Sequence, residues 1–125
     1  MFVINHDKSI YLTRGDIAAI ELSANTDENS PYVFKSGDKV RFKVCEKGRL
    51  DSVVIEKDVI VEAETSTVTV NLDSVDTKIG ETINKPRDYW YEVELNPETV
   101  PQTFIGYDAD GPKIFRLFPE GGDRQ

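Results

Sequence analysis

Residues 9–22, SIYLTRGDIAAIEL, hold two short apolar runs split by Thr13-Arg14-Gly15-Asp16. The first run is Ile10, Tyr11, Leu12; the second sets Ala18, Ile20 and Leu22 against Ala19, Glu21 and Ser23. That period of two marks a half-buried strand, because successive side chains of an extended chain point to opposite faces. Gly15 between the runs gives the backbone access to a positive φ or a bulge without a Cβ clash. Arg14-Gly15-Asp16 also spells the tripeptide of cell-adhesion ligands. A ligand of that kind needs a free loop tip, whereas strand patterns press on this one from both sides. The expectation is a structural turn, with Arg14 and Asp16 as a local ion pair tying the strand ends.

The same periodicity recurs along the chain. Residues 39–45, KVRFKVC, turn Val40, Phe42 and Val44 inward and Lys39, Arg41 and Lys43 outward, between the turn signals Ser36-Gly37-Asp38 and Glu46-Lys47-Gly48-Arg49. Residues 52–57 and 59–63 read as two β-branched runs with Lys57-Asp58 as a weak turn or bulge. Residues 67–72, TVTVNL, place Val68, Val70 and Leu72 on one face, and 88–95, DYWYEVEL, do the same with Tyr89, Tyr91, Val93 and Leu95. Between these two, residues 73–80 (DSVDTKIG) predict a single helical turn capped by Asp73 or Ser74 and ended by Gly80. Runs at 103–107 and 113–118 flank Asp108-Ala109-Asp110-Gly111-Pro112, a hairpin loop by composition. Roughly seven to nine short strands, about ten residues apart, predict an all-β antiparallel sandwich with one short helical turn. Residues 1–125 read as one domain, with flexible ends over about 1–8 and 119–125 and residues 1–4 as an added edge strand, within the chain or on a neighbour.

Fifteen basic against 23 acidic residues give a net charge of −8. That charge repels phosphate backbones and anionic lipid, so neither nucleic acid nor membrane is an expected partner. No apolar run approaches the roughly 20 residues of a membrane span, and residues 1–4 meet a polar stretch at once, unlike a secretory leader. Cys45 is the single cysteine; internal disulfides are excluded, and its phase leaves it either a partly exposed thiol or a small unreactive strand residue.

Chemical signatures are sparse. Asp108-Ala109-Asp110-Gly111 echoes the start of a calcium loop, but Pro112 and a strand follow where a distal glutamate and a helix are required. Glu92 and Glu94, two apart on a strand, point to one face about 6.6 Å apart. Glu62 and Glu64 are a second such pair, and the spacing overlaps that of glycosidase carboxylates. Acid catalysis needs one member in an apolar pocket, and no neighbouring residue supplies it. His6, the only histidine, lacks a serine–acid or cysteine setting and takes no role. The reading is therefore a non-enzyme with no catalytic, cofactor or metal residues. Trp90 is out of phase with the core positions, which makes it an interface anchor or a ring covered by a loop such as 97–103. Trp90, Tyr107, Glu92 and Glu94 are the candidate interface residues. A carbohydrate- or protein-binding module of a bacterial surface protein, with Tyr89, Trp90 and Tyr107 as a stacking platform, is the alternative.

Three blocks in order carry a family likeness: the strand–Thr-Arg-Gly-Asp–strand opening, Gly37-Asp38-Lys39-Val40-Arg41-Phe42-Lys43-Val44, and Tyr89-Trp90-Tyr91-Glu92-Val93-Glu94-Leu95. With Asp76-Thr77-Lys78 before the last block and the Asp-Gly turn near the end, they resemble the immunoglobulin-like N-terminal module of baseplate upper proteins from phages of Gram-positive bacteria. The resemblance spans about residues 9–118. It implies an immunoglobulin-like sandwich and a virion structural part, a phage or prophage tail or baseplate subunit assembled in the host cytoplasm. Its partners would be itself, as a homo-oligomer, and other tail proteins. Members commonly continue into a fibre or receptor-binding region, so a chain closing at Gln125 is expected to be a connector or small baseplate subunit.

Overall fold

A computed structural model of the chain describes residues 2–5, 8–24, 30–80, 83–109 and 111–120. His6, Asp110 and residues 121–125 lie outside the described residues. Among the described residues, nine strands and one helical turn succeed one another as β1 (Phe2–Ile4), β2 (Ile10–Thr13), β3 (Ala18–Leu22), β4 (Lys39–Glu46), β5 (Arg49–Ile60), β6 (Val68–Leu72), α1 (Ser74–Thr77), β7 (Arg87–Leu95), β8 (Gln102–Ile105) and β9 (Lys113–Phe118).

The all-β architecture expected from the alternating runs is the one adopted. Seven strands form one sheet in the order β1-β2-β9-β7-β4-β5, with β8 also on β7, and β3 and β6 pair as a second, two-stranded sheet. All pairings are antiparallel except β2 with β9, which runs parallel from Ile10 opposite Phe115 to Thr13 opposite Phe118. β1 adds an edge to β2 within the chain, Phe2 lying opposite Leu12.

Val40, Phe42 and Val44 of β4 and Tyr89, Tyr91 and Val93 of β7 meet Ile20, Val68, Val70 and Leu72 of the small sheet in one core. Each such side chain contributes about 1.5–3 kcal/mol by leaving water. The Phe42 ring centroid is 5.5 Å from that of Tyr91 and 6.4 Å from that of Phe115. A second aromatic group, Phe34 with Tyr32 and Phe104 at 5.1 and 6.0 Å, packs beside it.

The predicted helical turn forms with Asp73, one of its two candidate caps, and closes at Thr77 with Lys78 as C-cap rather than at Gly80. Asp73 accepts from the backbone N–H groups of Val75 and Asp76, and the Asp76 carboxylate accepts from the Asp73 N–H, a reciprocal box that satisfies the turn's free donors. Two expectations fail. Lys57-Asp58 is not a turn: β5 runs unbroken through it, because Asp58 sits opposite Arg41 in the ladder and takes a bidentate bond from it at 2.8 and 3.1 Å. Lys57, facing the inner side opposite Phe42, reaches out to Asp76 at 2.9 Å.

The second failure is the hairpin at 108–112. β8 and β9 do not pair with each other; both lie along the same side of β7, β8 against Val93–Leu95 and β9 against residues 87–91. The chain leaves a single path along β7 after Ile105, and reciprocal bonds between the backbones of Asp108 and Gly111 close the departure before Lys113 rejoins it.

Asp38 ties the start of β4 to the turn after β7. Burial works against its charge. Bonds from the Lys35 N–H, the Tyr32 hydroxyl and the Asn96 amide outweigh burial and hold its pKa below the ordinary aspartate value. Arg41 does the same for Asp58 and Arg116 for Asp88. A carboxyl whose pKa is lowered by folding stabilises the fold above its unfolded pKa, and that stability is lost as pH falls through the folded value. The melting temperature is therefore expected to hold between neutral pH and about pH 5 and to fall steeply below about pH 4. Thermal melts across that range check this, and an Asp38→Asn variant should show a shallower fall.

Candidate interaction face

Alternation along β7 sends Asp88, Trp90, Glu92 and Glu94 to the outer face of the large sheet, opposite the core. The ladder sets neighbours beside each: Trp90 lies between Cys45 and Ile114, Glu92 opposite Lys43, and Glu94 opposite Arg41. Three of the four candidate residues, Trp90, Glu92 and Glu94, thus occupy one face by alternation alone.

Glu92 and Glu94 converge on one cation, with Lys43 Nζ 3.1 and 3.0 Å from their carboxylates. Burial opposes the Lys43 charge, but Glu94 and Glu92 prevail and raise its pKa. Arg41 carries the same pattern to the other side of β4, onto Asp58. Cross-strand pairs of this kind contribute roughly 0.2–1 kcal/mol each. Glu92 and Glu94 make a ladder of ion pairs, and neither sits in the apolar pocket that general-acid work requires. Glu62 and Glu64 are exposed on the connection between β5 and β6, off any strand.

Cys45 is fully buried in the row with Trp90, at a register shift between β4 and β5. Burial first, and Glu92 second, push its thiol pKa up, which disfavours the reactive thiolate. Of its two expected readings, the small unreactive strand residue fits this position.

Trp90 and Tyr107 come together, their rings 5.8 Å apart at 63°. The departure of the chain at Gly106 puts Tyr107 there. Gly106 permits the departure from the ladder, because a Cβ at that position would lie 2.8 Å from Thr103 Cγ2 and 3.4 Å from Glu92 Cβ. Tyr107 itself remains 66% exposed. Beneath it, Trp90 Nε1 is buried with no hydrogen-bond partner, a state that costs about 1–3 kcal/mol. Tyr89 lies 1% exposed in the core, on the opposite side of the strand, so a platform of three stacked rings does not form. Among the described residues, no group of three or more potential metal ligands gathers.

Arg14 acts elsewhere, as a clasp. Its guanidinium donates to the carbonyls of Ile79 and Gly80 at 3.3 and 2.7 Å and pairs with Glu120, while its backbone N–H donates to Phe118. Gly15 takes φ +89°. The turn reading of the tripeptide stands, with Arg14 holding segments 65 to 106 residues away; no local spacing signals such partners. Comparisons with family models, with curated proteins and with solved structures return no match for this chain.

Proposed function

We propose that the chain is a non-catalytic phage or prophage virion protein, a tail or baseplate subunit that self-associates or docks on tail partners through the face around Trp90 and Tyr107. The carrying observation is the Tyr107 ring, 66% exposed and packed 5.8 Å from the ring of Trp90. An exposed tyrosine packed on a tryptophan suits a protein partner, because both residue types are enriched among interface anchors. Glu92 and Glu94 form the polar rim. The strand run β9-β7-β4-β5, facing the β3–β6 pair, supports the likeness to an immunoglobulin-like sandwich of the variable type.

Sedimentation of the purified chain at high concentration, alone and with tail proteins, tests the reading. Tyr107→Ala is expected to weaken association by about thirtyfold, the effect of losing a 2 kcal/mol anchor, with the fold intact because the ring is exposed. Trp90→Ala should weaken it at least as much. Antibody label at the tail tip of induced particles is the expected micrograph; a persistent monomer, with label on the host surface alone, overturns the proposal. Binding to a glycan array with a change in tryptophan fluorescence would favour the surface-module reading instead.

A further inference from the structure

A second surface, at one end of the large sheet, has the opposite electrostatic character from the chain as a whole. Lys47-Gly48-Arg49 and Lys85-Pro86-Arg87 are two basic-x-basic turns. The antiparallel pairing of β4 with β7, which sets Glu46 opposite Tyr89, brings both to the same end. Between them opens a cleft of about 900 Å³ lined by Lys47, Arg49, Arg87 and Arg116, with Pro86 and Phe118 as apolar wall. Its two acids are already engaged: Asp88 takes two bonds from Arg116, at 2.6 and 3.2 Å, and Glu46 lies 3.6 Å from Arg87. Lys47 and Arg49 have no salt bridge among the described residues. Four bases against two acids line this cleft in a chain of net charge −8.

We propose that this cleft docks a carboxylate-rich polypeptide segment of a partner protein. Asp88 takes the guanidinium fork of Arg116 and Glu46 lies against Arg87, which leaves Lys47 and Arg49, spread over one turn rather than converging on a point, as the cations open to a ligand. Carboxylates spaced along an extended peptide match such a distribution, and Phe118 and Pro86 offer surface to its aliphatic stems. A long polyanion such as nucleic acid would meet the acidic remainder of the surface. The site is separate from the Trp90 face and holds whether or not the chain belongs to a virion.

Fluorescence anisotropy with a labelled hexaglutamate peptide tests it on the whole chain. Binding at low salt, lost on raising salt, is expected, with the Lys47→Glu/Arg49→Glu double variant weaker by about tenfold or more. Lys35→Glu, a reversal away from the cleft, should bind as the parent does. Both sites of the double variant are exposed, so its circular dichroism spectrum should match the parent's and report an intact fold, with a small fall in melting temperature because Arg49→Glu sets a like charge opposite Glu46. Absence of peptide binding, equal binding by the double variant, or tighter binding of tripolyphosphate or a single-stranded oligonucleotide overturns the proposal.

Discussion

Phe42→Ala is expected to remove about 4 kcal/mol of folding stability, seen as a lower urea midpoint in equilibrium unfolding. The ring is 0% exposed and lies at the middle of β4. Three features stop the site from collapsing around the hole. Tyr91, 5.5 Å away, is pinned by a hydrogen bond from its hydroxyl to the Lys8 carbonyl. Phe115 sits on β9, held between β2 and β7. Val93, directly opposite Phe42, is itself fully buried. A cavity that cannot close adds its own cost to the lost transfer energy. Phe42→Leu, which keeps most of the volume, should cost about 1.5 kcal/mol or less. A loss below 1 kcal/mol for the alanine variant would mean that the two sheets do not share this core.

Arg14→Ala is expected to cost about 2–3 kcal/mol, the value of charge-assisted bonds to backbone and carboxylate in a largely buried setting. The Arg14 side chain is only 9% exposed, and its loss removes the bonds to the part-buried Ile79 carbonyl, to the exposed Gly80 carbonyl and to Glu120. Arg14→Lys keeps the charge but not the fork, so it should recover only part of the loss. A double-mutant cycle with Glu120→Ala separates the ion pair from the backbone bonds. An adhesion-type tripeptide displayed at a loop tip would give a different result, an unchanged melting temperature for Arg14→Ala.

Much of the fold is legible along the chain, and the reasons are local. Val40, Phe42 and Val44, then Val68, Val70 and Leu72, then Tyr89, Tyr91, Val93 and Leu95 declare their faces by period alone. Asp73 or Ser74 and the following Gly80 announce a helical turn, while the reciprocal bonds of Asp73 with Asp76 emerge only in the structure. Where the reading missed, a distant partner had overridden the local signal. Lys57-Asp58 looks like a break until Arg41 holds Asp58 in the ladder. The Asp-Gly turn at 108–111 looks like a hairpin until β7 takes both flanking strands on one side.

The candidate face divides in the same way. That Trp90, Glu92 and Glu94 share a face follows from alternation, since a strand's side chains repeat every two residues whatever it packs against. That Tyr107 covers Trp90, that Lys43 joins the two glutamates, and that two basic turns flank one cleft depend on which strands are neighbours. Alternation carries no record of neighbours: the parallel seam between β2 and β9, and the placing of β4 between β5 and β7, are chosen by long-range burial of the whole core. The sequence by itself determined an all-β chain and which side chains turn inward. Only the tertiary structure decided which outward residues meet, because pairing across about 50 to 100 positions is settled by packing.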